Sequence, residues 1–176
     1  MNSAVCEANP RGDKRMRFLL LSVIALLTAA PGWAANSEAT AVCTFTDQTE
    51  ISVRYNPVST KENPRMQNGK VWAPGGSPLV LFTQSELSVN NVSLPVGAYS
   101  LYLIPGKDWK LVVNRNVSLG SAYEEKQDLV RARMESAKLG SPADHLTISF
   151  GRIAPKQCEM RVYYNQSGAW TTLAEK

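Results

Sequence analysis

The chain has 176 residues, 44% hydrophobic and 19% charged, with a formal net charge of +4, which suits one globular domain and is short for two. The ordinary apolar content excludes wholesale disorder, and the lack of a Gly-X-Y or heptad period excludes collagen and coiled coil. One histidine and three cysteines leave little material for a multi-ligand zinc site, so neither a metal nor a cofactor is expected.

At the N-terminus, Arg11, Lys14, Arg15 and Arg17 precede an apolar run over residues 18–30. A helix over that run spans only about 20 Å, short of the ~30 Å of a hydrocarbon core. Pro31 and Gly32 break it, and Gly32 and Ala34 place small residues at the two positions that a cut after Ala34 requires. Basic start, short apolar core and small-residue exit are the marks of a secretory signal peptide. Residues 1–34 are therefore assigned to export and residues 35–176 to a single domain, secreted or periplasmic, with no transmembrane segment after cleavage. An uncleaved anchor is the alternative, and Met16 is an alternative start. The signal removes four basic and two acidic side chains from the 19 and 15 of the whole chain, leaving 15 against 13 and a net charge of +2. Nucleic acid is not an expected partner at that charge, since it calls for a concentrated basic face. Cys6 leaves with the signal. Cys43 and Cys158 remain, and an even pair in an exported protein reads as a disulfide; two buried free thiols are the alternative.

Beyond the signal the hydrophobic period is two. AVCTFT, from Ala41, is followed by a turn at Asp47-Gln48, and then Ile51, Val53 and Tyr55 alternate with polar residues. Residues 56–68 are polar with two prolines and read as a long loop. Residues 73–78 (APGGSP) are excluded from regular strand, because proline supplies no N–H and the glycines invite special dihedrals. Asn90-Asn91 divides ELSV from VSLP, and Pro105-Gly106-Lys107-Asp108 divides GAYSLYLI from WKLVVN; both are hairpin signals. One helical turn is expected in SAYEEKQD. Val130, Ala132 and Met134 form the apolar side of the next strand, although LVRARMESAKL also has helix-friendly composition. Leu146, Ile148 and Phe150 mark another strand, and Cys158, Met160, Val162 and Tyr164 another. A turn at Asn165-Gln166-Ser167-Gly168 separates the last from WTTLA. About ten short strands at this spacing predict an all-β antiparallel sandwich or open barrel with at most one short helix. The terminal strands that carry Cys43 and Cys158 are expected to pair.

Four segments, GKVWAPGGSPLVLFT, LPVGAYSLYLIPGKDWKLVVN, YEEKQDLVRARM and HLTISF, together with ISVRYNPVS upstream, resemble a bacterial exported family catalogued only as domain of unknown function 2911. The resemblance covers nearly all of the chain after residue 34. Its most specific part is L-P-x-G-x-Y-S-L-Y followed by W-x-L-V-V-N. It implies a fold and a compartment but no mechanism. Family members usually read V-W-R-T-G-A-N where this chain has Val71-Trp72-Ala73-Pro74-Gly75-Gly76-Ser77, and G-Q-W-G where it has Val117-Ser118-Leu119-Gly120. If the family's arginine, asparagine and tryptophan form a site, this member has lost much of it.

Little of the remaining chemistry points to catalysis. His145, beside Asp144, is the single candidate base for a serine triad, and no G-x-S-x-G elbow accompanies it. Glu124, Glu125 and Asp128 could supply paired carboxylates for a hydrolase, or be solvated charge and a structural cap. Trp72, Trp109, Trp170 and several tyrosines could stack on a sugar, or build a small β core. Trp72 draws particular notice: it borders the Pro-Gly loop, with Lys70 two residues earlier, and a flat aromatic beside a cation suits an acidic glycan. The candidate ligand residues are thus Lys70, Trp72, Tyr123, Asp128 and Arg131. The expected function is a non-catalytic binding or accessory module of the periplasm or cell envelope, its partner a small molecule, a glycan or an envelope protein. The alternative is a hydrolase using carboxylates near Asp128.

Overall fold

The computed structural model describes residues 38–61, 66–118 and 122–176; the signal assigned to residues 1–34 lies outside them. The larger of two antiparallel sheets runs β1 (Ala39–Thr44), β2 (Glu50–Tyr55), β3 (Leu79–Thr83), β6 (Gly97–Ile104), β7 (Lys110–Asn114), β8 (Asp128–Arg133). The smaller runs β5 (Val92–Leu94), β4 (Leu87–Val89), β10 (Gln157–Glu175), β9 (Glu135–Ala154). Neither sheet closes on itself, so of the two expected architectures the molecule is the sandwich. Helical structure among the described residues is confined to two three-residue 3-10 turns, Pro74–Gly76 and Glu125–Gln127; the second lies where the single helical turn was expected.

The period-two pattern reads directly as burial. Ile51, Val53, Leu81, Leu101, Leu103, Leu111 and Ala132 project from the larger sheet and are fully buried. They meet Leu87, Val89, Leu146, Met160, Val162 and Leu173 from the smaller one in a single core. Both Asn90 and Asn91 have positive φ, 48° and 66°, the dihedral sign a two-residue hairpin needs to match strand twist and one that asparagine tolerates.

Two expectations about strands are corrected. The terminal strands do not pair. β1 is an edge of the larger sheet and β10 belongs to the smaller, so the Cys43–Cys158 disulfide, with Cα atoms 6.4 Å apart, ties one sheet to the other. The reason is the alternation itself: both cysteines lie on inward positions, with Phe45 and Met160, and face each other across the core. Nor are all the strands short, since β9 has 20 residues and β10 has 19. Straight, β10 would span about 60 Å. Yet the Glu175 N–H donates to the carbonyl of Lys156 over 2.8 Å, so the chain doubles back within it. The turn expected at residues 165–168 to divide two strands is instead an irregularity within one strand, and Asn165, Ser167 and Gly168 stay paired with β9. Asn165 has φ 52° there, and the pairing with β9 shifts register on either side of it. A side chain at Gly168 would stand 2.9 Å from Leu139 and 3.6 Å from the Tyr163 ring, a close approach that glycine permits.

Residues 73–78 interrupt one strand. Trp72 pairs with Leu103 of β6, and Leu79 pairs with Leu101. Seven steps on one side against two on the other leave a bulge of five residues. It folds onto the segment after β2: at Gly75, φ 71°, an added Cβ would lie 2.5 Å from Val58 Cγ1. On the outer face of the larger sheet, Tyr102, Ile104 and Val112 form a small second cluster, covered by Val71, Ala73 and Tyr123.

Candidate functional site

Three of the five candidate ligand residues converge. β7 and β8 pair Val113 with Val130 and then Asn114 with Asp128, so Leu129 is the extra residue of a β-bulge. A bulge re-aims the side chains beyond it. Here it sets the Asp128 carboxylate opposite Asn114, and Asn114 Nδ2 donates to Asp128 Oδ1 over 2.8 Å. Tyr123 OH donates to Asp128 Oδ2 over 2.5 Å, and Arg131 Nε donates to the same oxygen over 2.8 Å. Arg131 Nη2 reaches the Tyr123 hydroxyl and Glu125 Oε1, each over 2.8 Å. Asn114 also donates to the Glu124 carbonyl, and its own oxygen accepts from the Asn116 N–H. Tyr123 stands edge-on to Tyr102, ring centroids 4.8 Å apart.

The network is closed. Both oxygens of Asp128, whose side chain is 10% exposed, are occupied by donors, one of them a guanidinium. The hydrogen bond to Asp128 holds the Arg131 guanidinium well above its ordinary pKa. Burial, reinforced by donation to Asp128, pushes the Tyr123 phenol up from 10.0 to about 12. Glu125, the nearest second carboxylate in the network, is 73% exposed. A glycosidase needs one carboxyl group held protonated and a second free to attack or activate water. A carboxylate bonded by a guanidinium, an amide and a phenol is built to hold position. Sequence reasoning missed Asn114, whose signal was only its place at the end of the W-x-L-V-V-N strand.

The raised phenol has a consequence for stability. An acid whose pKa is higher folded than unfolded contributes stability that is complete below the unfolded pKa, near 10, and is lost as pH rises through the folded value near 12. Urea unfolding at pH 9 and pH 11 is expected to show a smaller alkaline loss for Tyr123→Phe than for the wild type. Parallel losses would mean that the phenol has the same pKa folded and unfolded.

Lys70 and Trp72 are not brought into that cluster, nor do they present a cation beside an open ring. Lys70 is exposed. Trp72 is 8% exposed and lies in the core, its ring centroid 4.9 Å from that of Tyr164. The backbone pairing explains this: Trp72 sits opposite Leu103, an inward position, so Val71 and Ala73 take the outer face. The indole Nε1 of Trp72 has no hydrogen-bond acceptor among the described residues. A hollow of about 140 Å³ is bordered by Gln67, Lys70, Val71 and the little of Trp72 that remains exposed.

A larger depression lies elsewhere. Where the chain leaves β8 for β9, a hollow of about 650 Å³ opens between Lys107 and Asp108 of the β6–β7 turn, Arg133, Glu135 and Trp170. It continues past Arg133, Glu135 and Trp170 into a second of about 240 Å³ bordered by Thr172 and Glu159. Trp170 pairs with Glu135 across β10 and β9, and its Nε1 donates to Glu135 Oε2 over 3.0 Å. Trp170 was read from the sequence only as one aromatic among several. Its setting depends on a residue 35 positions away and on the reversal in β10. No group of three metal-ligating side chains is assembled among the described residues.

In comparisons with known proteins, the family described as "Protein of unknown function (DUF2911)" matches residues 37–170. No curated protein and no solved structure matches.

Proposed function

Since the chain belongs to the DUF2911 family, whose description assigns no activity, we propose on physical grounds that it is an exported, non-catalytic binding module of the periplasm or cell envelope. The observation that carries this reading is the closed Asp128 network: Tyr123, Asp128 and Arg131 are spent on one another, so the one partly buried carboxylate of the hydrolase alternative is already occupied, and its neighbours Glu124 and Glu125 lie exposed. Export is supported by the basic and apolar N-terminus and by the inter-sheet disulfide, a bond that persists in oxidising compartments. Among the described residues no helix is long and apolar enough to cross a membrane. Of the two polar hollows at the β8–β9 crossing, the larger, about 650 Å³, is of the size range that ligand sites occupy.

The test uses the disulfide-bonded chain beginning at Ala35, incubated with isolated bacterial cell-envelope material. Saturable co-sedimentation is expected, with the bound material recovered unchanged in mass. Release of reducing ends or of shortened fragments in proportion to protein added would replace the binding reading with the enzymatic one. Absence of any saturable retention would remove it.

A further inference from the structure

We infer that the hollow around Trp170 is a site for a neutral glycan. The inference rests on the binding-module reading and places its ligand.

The ring comes first. Trp170 is half-buried and borders both hollows, and its side-chain N–H is already given to Glu135 over 3.0 Å. What it offers a ligand is therefore apolar ring surface rather than a hydrogen bond. A rigid indole face carries large contact area at little entropic cost, and the C–H face of a pyranose is flat and apolar enough to lie on it. The bond to Glu135 fixes the ring's orientation before any ligand arrives, which lowers the cost of binding.

Polar groups border the ring on several sides. Arg133 and Asp108 form an ion pair of 3.2 Å at the rim, 78% and 58% exposed. Their donors and acceptors stand side by side, an arrangement that serves vicinal hydroxyls, each of which both gives and receives. Thr172 borders the adjoining hollow. Charge selects among glycans. Lys107 and Arg133 are balanced by Asp108 and Glu135 around the larger hollow, so an anionic ligand gains no net attraction, in contrast to the acidic glycan suited to an exposed Lys70–Trp72 pair. The two hollows are contiguous through Arg133, Glu135 and Trp170. Together they extend well beyond one sugar ring, so an oligosaccharide is the ligand rather than a monosaccharide.

The experiment is calorimetric titration of the chain from Ala35 with cellotetraose, chitotetraose and tetragalacturonate. At least one of the two neutral tetrasaccharides is expected to bind, and more tightly than the anionic one. Trp170→Ala is expected to weaken that binding by about tenfold or more, as loss of a central aromatic contact does. Thr172→Arg, which fills the second hollow without touching the core, is expected to weaken it too, with an unchanged melting temperature. That second variant keeps the test sound if Trp170→Ala unfolds. Tighter binding of tetragalacturonate, neutral binding indifferent to both variants, or no binding of any tetrasaccharide would overturn the site. If the wild type and Trp170→Ala sediment equally with envelope material, the site falls while the binding-module reading stands; if the wild type does not sediment at all, that reading falls on its own evidence.

Discussion

Reduction of the Cys43–Cys158 bond is expected to lower the free energy of unfolding by about 4 to 5 kcal/mol, the chain-entropy figure for a loop of roughly a hundred residues. The bridge closes a sequence separation of 115 residues, most of the domain, so nearly the whole unfolded chain is constrained by it. Both cysteines are buried, at 6% and 0% exposure, and replacing them by alanine would add a packing loss to the loss of the crosslink. The cleaner comparison is urea unfolding of the native protein with and without a thiol reductant, because the reduced form keeps both sulfur atoms in the core. The intact mass without reductant should be about two hydrogens lower than with it. If both thiols of the native protein alkylate freely, or if reductant shifts the unfolding free energy by less than ~1 kcal/mol, the tie between the sheets contributes little. The bond joins an edge strand of one sheet to the doubled strand of the other. Its loss should therefore be felt as sheet separation, with earlier amide exchange in β1 than in β6 or β7, which lie in the middle of the larger sheet.

Trp72→Ala is expected to cost about 3 to 5 kcal/mol, the range for truncating a buried tryptophan, while Lys70→Ala stays within ~0.5 kcal/mol as exposed substitutions do. The asymmetry follows from placement. Trp72 packs against Tyr164 and closes the core beside the five-residue bulge, and its removal leaves a cavity that β6, hydrogen-bonded on both sides, cannot collapse to fill. Trp72→Phe retains an aromatic surface against Tyr164 and should cost markedly less than the alanine variant. Urea unfolding of the three variants gives the comparison. A Trp72→Ala loss below ~1 kcal/mol would show that the ring is not part of the core and would restore it as a candidate ligand contact.

Strand and turn positions were legible before any coordinates because their causes are local. An alternating apolar pattern identifies a half-buried strand wherever it occurs, and Asn90-Asn91 can reverse a chain without help from distant residues. Tyr123, Asp128 and Arg131 were each legible as candidates and lie within nine consecutive positions; that they bond to one another was decided by the β-bulge at Leu129. Sequence alone left open which partner each strand takes. The register of residue 72 against residue 103 turns Trp72 inward and Val71 outward, and a shift of one position would reverse both faces. The β4–β5 hairpin leaves the larger sheet for the smaller one, and the cysteine-bearing strands face each other across the core instead of pairing. Those outcomes depend on how all the apolar faces are buried at once. The Trp170 hollow is the furthest case: it is assembled from the β6–β7 turn, the β8–β9 crossing and the doubled β10, which meet only after the two sheets have packed.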